Sequence, residues 1–128
     1  MPDGEHLSPA ERGRRGEAIA AQALEAHGYR IIEHNWRCES GEIDIVACDG
    51  ETWVFVEVKT RSSEAYGSPE EAVTQSKQTR LLNAATAYLA AHELDDVAWR
   101  VDVVAIMLGE GGKVRRLAIY QDAVRADG

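Results

Sequence analysis

Length, composition and charge limit the classes of protein to which this chain can belong. Its 128 residues suffice for one hydrophobic core, and 45% hydrophobic with 28% charged residues exclude a disordered or fibrous protein. No run of about 18 apolar residues occurs, and residues 1–7 lack the apolar stretch of a signal peptide, so we expect a cytoplasmic protein without a membrane partner. A net charge of -8 counts against nucleic acid, although local arginines and a bound cation can invert the potential at a site.

The first half of the chain predicts one helix and three strands. Ser8, Pro9 and Glu11 combine an N-cap, a proline at the first helical position and a glutamate three residues after the cap. We expect this helix to end at Gly28, with Glu17 at the edge of its apolar stripe. Alternating patterns predict strands at 29–37, 42–47 and 52–60, the last two joined by a hairpin turn at Asp49-Gly50.

The second half predicts a helix and two more strands. A helical stripe runs through about 74–92, and 68–71 resembles a further helix start. Strands are predicted at 99–107 and 114–120, around a glycine-rich turn at 108–113. The order α-β-β-β-α-β-β, without repeat or linker, predicts a single α/β domain over 1–128: a mixed β-sheet flanked by helices, with flexible ends at 1–7 and 122–128.

The hairpin allows a geometric deduction. If its turn is centred on Asp49-Gly50, Asp44 opposes Phe55 and Glu42 opposes Glu57. Because side chains alternate along a strand, these residues then share one face with Lys59. The opposite face would carry the apolar residues Ile43, Ile45, Val54, Val56 and Val58.

This polar face favours phosphodiester chemistry. Asp44 and Glu57 would be diagonal neighbours roughly 7 to 8 Å apart, close enough to share one Mg²⁺ ion, for which Mn²⁺ can substitute. Lys59, about 6.6 Å beyond Glu57, could orient a water or neutralise a phosphate. The alternative is the ordinary solvated side of a half-buried hairpin. Directly opposed Glu42 and Glu57 weigh against that alternative, since like charges need an offsetting cation.

Several short motifs stand between Arg12 and Ile106: Gly16-Glu17, Asn35-Trp36-Arg37, Gly41-Glu42-Ile43-Asp44-Ile45-Val46, Val54-Phe55-Val56-Glu57-Val58-Lys59-Thr60-Arg61, Gly67, Pro69, Lys77 and Val101-Asp102-Val103-Val104. Together they resemble the YraN family of uncharacterised bacterial proteins. That family is similar to the PD-(D/E)XK nuclease superfamily, with a restriction-endonuclease-like αβββαβ core, and in layout to archaeal Holliday-junction resolvases.

The resemblance implies a metal-dependent DNA endonuclease or a branched-DNA processing enzyme. Asp44, Glu57 and Lys59 would carry the hydrolysis, with Glu17 as an additional carboxylate and the Val58 carbonyl as a further ligand of Mg²⁺. Ile43-Asp44 stands where the superfamily's name has Pro-Asp. A homodimer is also implied, because junction enzymes that make paired cuts need two sites.

Basic and aromatic residues are candidates for contact with DNA. Arginine offers a planar fork and lysine a point charge to phosphate oxygens. The candidates are Arg37, Arg61, Lys77 and Arg80, of which Arg61 and Lys77 are favoured. Arg12, Arg14 and Arg15 form a basic cluster that either meets DNA or is simply solvated. Tyr66, Trp36 and Trp99 could stack on bases, although Trp99 is more typical of a core residue.

Two other functions stay open. The negative net charge favours a non-catalytic nucleic-acid-binding or assembly module in DNA recombination, repair or uptake. A weaker alternative is an acidic adaptor whose carboxylate face is plain surface. Cys38 and Cys48 are expected to be small apolar fillers, because they form no CxxC pair.

Overall fold

A computed structural model of the chain describes residues 8–61 and 74–125. It confirms the predicted order α-β-β-β-α-β-β, whereas the helix start expected at 68–71 lies outside the described residues. Among those that are described, no helix is both long enough and apolar enough to cross a bilayer. The elements are α1 Pro9–Ala26, β1 Arg30–Cys38, β2 Gly41–Asp49, β3 Thr52–Arg61, α2 Gln75–Ala91, β4 Trp99–Leu108 and β5 Val114–Val124.

The five strands form one mixed sheet in the order β1-β2-β3-β4-β5. β3 and β4 are parallel, because α2 carries the chain across between them, and the other neighbours are antiparallel. Each helix covers one apolar face: Leu24 of α1 packs in one cluster, and Leu81 and Tyr88 of α2 pack in the other. This single α/β domain has the restriction-endonuclease-like core that was predicted.

The β2–β3 hairpin differs from the predicted register by two residues. Its loop is Gly50-Glu51, and Asp49 pairs with Thr52. Gly50 has φ +63°, a left-handed conformation that favours glycine. The expected pairs Asp44–Phe55 and Glu42–Glu57 are therefore wrong. Because the offset is an even number of residues, Asp44 and Glu57 still lie on the same side of the hairpin.

The two strands separate just beyond Ile45. Pairing between β2 and β3 ends at Ile45–Val56, and Asn35, which faces this point from β1, has φ +53°. Ile43 consequently packs in the α2 cluster and Ile45 in the α1 cluster. The prediction that both share one face is wrong, since alternation holds only along a regularly paired strand.

α1 lies unusually close to β3 at Gly16. A Cβ placed on Gly16 would lie 3.2 Å from the Thr60 Cβ and closer still to its hydroxyl. The helix begins as predicted: Ser8 and Glu11 form a reciprocal capping box, and Pro9 follows the cap. The cap and the missing side chain together bring the first turns of α1 over the end of β3.

β5 is longer than predicted and continues to the buried Val124. Asp122 has φ +54° and donates its backbone N–H to the Asp102 carboxylate at 2.8 Å. Residues 122–124 therefore belong to the sheet, although their polar composition predicted a flexible end. A side chain 20 residues away supplies the acceptor, which no local pattern reveals.

We expect Gly16→Ala to lower the free energy of unfolding by about 1 to 3 kcal/mol, because the added methyl group must displace Thr60 or the helix. Gly13→Ala is the matched control, since its Cβ meets nothing within 4 Å. Alanine should raise helix stability there by up to about 1 kcal/mol. Urea unfolding of both variants measures the difference, and equal effects would contradict the close contact.

Candidate functional site

A cleft of about 480 Å³ opens between the first turns of α1 and α2, where β2 begins and β3 ends. Its walls come from four elements distant in sequence, which the β3–α2–β4 crossover and the close packing of α1 bring together. Most predicted site residues line it: Glu17, Asp44, Glu57, Val58, Lys59, Arg61, Lys77 and Arg80.

Asp44 occupies the gap between the separating strands. Its Oδ2 accepts the backbone N–H of Val58 at 2.8 Å. Beyond the last β2–β3 pair, this carboxylate takes the place of the missing backbone acceptor. The hydrogen bond fixes Asp44 beside the residues that follow Val56.

The environment of Asp44 disfavours its charged form. Burial, followed by the negative charge of Glu57, raises the pKa of Asp44 to about 8. The Val58 N–H works in the opposite direction, whereas Glu17 and a hydrogen bond with Glu57 add to the rise. Buried carboxylates crowded in this way are typical of functional sites.

Lys59 is the positive counterpart of these carboxylates. Its Nζ lies 3.1 Å from Glu57 Oε2, and the two side chains are only 8% and 13% exposed. Lys77 approaches from α2: a hydrogen bond with Lys59, together with burial and the Lys59 charge, lowers the pKa of Lys77. Two amines therefore meet in the same cleft that holds the crowded carboxylates.

The donors fit a hard divalent cation. Asp44 and Glu57 offer carboxylate oxygens on neighbouring strands, and oxygen is the donor that Mg²⁺ and Mn²⁺ prefer. Within 8–61 and 74–125, no group of three His, Cys, Asp or Glu side chains is arranged to hold a metal ion. A metal at Asp44 and Glu57 would thus need a main-chain or water ligand in addition, which Mg²⁺ readily accepts.

Some predicted residues are not brought into the cleft. Arg37 is 75% exposed and pairs at 3.2 Å with Glu42, which itself lines the cleft. Trp36 packs edge-on against Tyr88 at 5.1 Å, and Trp99 packs against Phe55 in the core. Tyr66 lies outside the described residues. Cys38 and Cys48 are free thiols, as expected.

Sequence reasoning missed a buried polar network at the opposite end of the sheet. Asp102 is fully buried; it accepts the Tyr29 hydroxyl at 2.8 Å and pairs with Arg100 at 3.0 Å. Arg100 also pairs with Asp49, and Gln121 donates to the Tyr29 hydroxyl. The network ties the three strands β2, β4 and β5 to the segment after α1. An aspartate inside an otherwise apolar strand, Val101–Val104, was its signal.

These elements and their pairing define a single-domain α/β protein with a restriction-endonuclease-like core. The chain belongs to the family described as "Uncharacterised protein family UPF0102", whose model matches residues 16–106, and this confirms the YraN resemblance. It is similar to the UPF0102 protein of Moorella thermoacetica, with 46% identity over 117 residues, 91% of this chain and 98% of that relative. The UPF0102 protein of Beutenbergia cavernae is 52% identical over 103 residues, covering 80% and 87% of the two chains.

Without divalent metal, we expect Asp44→Asn to flatten part of the pH dependence of stability. In the folded chain the pKa of Asp44 is raised to about 8 from the ordinary aspartate value of 3.8. Neutral Asp44 therefore contributes stability fully below that value, and the contribution is lost as the pH rises through about 8. Asparagine keeps an acceptor for Val58, so the variant should be the more stable protein at pH 8.

Urea unfolding at several pH values in EDTA tests this expectation. The difference in free energy of unfolding between Asp44→Asn and wild type should grow with pH. Glu51→Gln, in the exposed hairpin loop, is the control for loss of one charge. A constant difference across the range would show that Asp44 is not buried as a neutral acid.

Proposed function

We propose that this protein is a metal-dependent nuclease that hydrolyses phosphodiester bonds in DNA. The observation that carries the proposal is the crowding of like charges of both signs in one cleft. Asp44 and Glu57 lie together beside Glu17, and Lys59, which is ion-paired with Glu57 at 3.1 Å, lies together with Lys77. A divalent cation offsets the carboxylates and a phosphate offsets the amines, so a metal with a phosphodiester complements the whole site.

The carboxylates and the Val58 carbonyl would hold the metal. When bound, Mg²⁺ or Mn²⁺ polarises a phosphoryl oxygen and lowers the pKa of a bound water. Asp44 is pre-positioned for this role by the Val58 N–H, and Glu57 by its ion pair with Lys59. Glu17, half-buried on α1, supports the negative potential that attracts the cation.

The basic residues act on the substrate. The buried Lys59 ammonium stabilises negative charge on the phosphate or orients the attacking water, and its ion pair with Glu57 keeps it from turning away. Lys77, Arg61 and Arg80 line the cleft and supply donors to phosphate oxygens. This division of roles agrees with the PD-(D/E)XK resemblance, which assigns the same three core residues.

A non-catalytic DNA-binding or assembly module is the second candidate. The net charge of -8 favours it, because an acidic chain repels the DNA backbone that a nuclease has to bind. This candidate keeps the metal and the cleft but produces no cleavage. A homodimer is compatible with either function.

We expect cleavage of DNA in Mg²⁺ or Mn²⁺, and its loss by a factor of at least about 10² in Glu57→Ala, because that variant removes a metal ligand and frees Lys59. The measurement uses labelled duplex, single-stranded, flap and four-way-junction DNA. Glu51→Ala, which removes a carboxylate from the exposed hairpin loop, should cut like wild type.

Each result of this panel has a clear meaning. Wild-type cleavage that persists unchanged in Glu57→Ala rejects the site assignment. Binding of DNA without cleavage by any variant favours the non-catalytic module. The substrate cut fastest gives the DNA structure that the enzyme prefers.

We also expect millimolar Mn²⁺ to raise the thermal unfolding midpoint of the wild type by several degrees, because a ligand that binds the native state stabilises it. Asp44→Asn should lose most of this shift, and Glu51→Ala should retain it. Differential scanning fluorimetry measures both. An unchanged midpoint in the wild type at concentrations well above millimolar would exclude a metal site.

A further inference from the structure

A second basic surface borders the cleft on the α1 side. It consists of Arg12, Arg14 and Arg15 on α1 with Lys113 and Arg115 on the β4–β5 turn, and we name it the flanking basic surface. Arg15 Nε donates to the Gly112 carbonyl at 2.8 Å, which joins the turn to the helix. Of the five side chains, Arg12 also lines the cleft, and the other four residues are exposed.

Three of these cations lie close together near the start of α1. Arg12, Arg14 and Arg15 lie in the first two turns of α1, and Arg12, at the end of the first turn, is nearest the positive end of the helix dipole. Two carboxylates lie near them: Glu11 is engaged with the Ser8 backbone and side chain and interacts electrostatically with Arg14, and Glu110 lies on the turn. A chain with a net charge of -8 thus collects five cations at one place beside the cleft, so a polyanion is their natural complement.

The flanking basic surface lies at the same end of the sheet as the candidate site. Lys59 of β3 is paired with Ala105 of the parallel strand β4, and the β4–β5 turn follows four residues later. At about 3.3 Å per strand residue, the turn is roughly 13 Å beyond the level of Lys59. The phosphates of one B-DNA strand advance by about 3.4 Å each along the helix axis, so about 13 Å along that axis corresponds to about four of them.

The backbone conformation of the β4–β5 turn leaves Lys113 and Arg115 exposed. Gly109 N–H donates to the Lys113 carbonyl at 2.6 Å, and Gly111 with φ +67° reverses the chain. The Arg115 side chain lies over Gly109, where a Cβ would meet its Cγ at 2.7 Å. A glycine at this position thus leaves room for the stem of Arg115 while its charged end faces solvent.

From this placement we infer that the flanking basic surface is a binding track for the DNA backbone, along which the strand held in the cleft continues over α1 and the β4–β5 turn. The inference rests on the proposed function for its ligand. The binding track adds a contact region outside the cleft. It predicts that the enzyme contacts several phosphates on one side of the bond that it cuts. Affinity from these contacts should be independent of base sequence and sensitive to salt.

The test is the salt dependence of binding. Fluorescence anisotropy with labelled single-stranded and duplex DNA is measured in Ca²⁺ at several NaCl concentrations. For the double variant Lys113→Gln and Arg115→Gln, we expect affinity to fall about tenfold at physiological salt. The slope of log K against log salt should become shallower by about 1.4 to 1.8, which corresponds to two lost phosphate contacts.

The matched control removes two exposed cations from the opposite end of the sheet. Arg30 pairs with Cys48 there, and Arg125 follows Val124, which pairs with Val101. The double variant Arg30→Gln and Arg125→Gln has the same net charge as the test variant. Its slope should equal that of the wild type if position, and not total charge, governs binding.

The outcomes separate this inference from the proposed function. If the wild type cuts DNA but both double variants bind alike, the track is wrong and the nuclease stands. If the test variant alone loses affinity while no protein cuts DNA, the track stands and the catalytic proposal fails. Wild-type binding to anionic lipid vesicles without binding to DNA would overturn the track, because its partner would then be a membrane surface.

Discussion

The hydrogen bond from the Val58 N–H to the Asp44 carboxylate is the interaction on which the candidate site depends. Two neighbouring strands can separate inside a protein only if the backbone groups they leave behind find other partners. Asp44 supplies that partner at 2.8 Å, and the strands diverge where it does so. The gap that results is the floor of the cleft, so the same carboxylate both opens the site and faces into it.

The arrangement of charges in the cleft does not favour the stability of the fold. Burial and Glu57 raise the pKa of Asp44, and Lys59 lowers the pKa of Lys77. Neither arrangement favours the fold on its own. The apolar clusters on both faces of the sheet and the Asp102 network at its far end hold the backbone in place against this repulsion. Rigid support from elsewhere in the domain is what permits a strained group of charges to persist.

Local signals made much of this structure predictable. The capping box at Ser8 and the stripe of α1 define the first helix, and the alternation in 52–60 defines β3. The hairpin placed Asp44, Glu57 and Lys59 together even though its turn lies one position further along, because a two-residue offset keeps every side chain on its face. The family resemblance supplied Glu17 and Lys77, and both line the cleft.

Long-range partners account for what sequence did not reveal. Ile43 changes face because β2 leaves β3, an event decided by the Asp44 side chain and by the left-handed Asn35 on β1. β5 extends to Val124 because Asp102, on another strand, accepts the Asp122 N–H. Arg37 was expected near the substrate, but its nearest carboxylate across the β1–β2 hairpin, Glu42, holds it at the rim.

The parallel pairing of β3 with β4 also sets the order in which the residues of the candidate site come together during folding. The β2–β3 hairpin closes a two-residue loop, so we expect Asp44, Glu57 and Lys59 to come together early in folding. Lys77 and Arg80 arrive only when the chain has crossed over and β4 has docked, which closes a much longer loop. Asp44 and Glu57 thus meet in the hairpin before α2 is in place to form the other side of the cleft. Competence to engage a phosphate would then arise last, together with completion of the sheet.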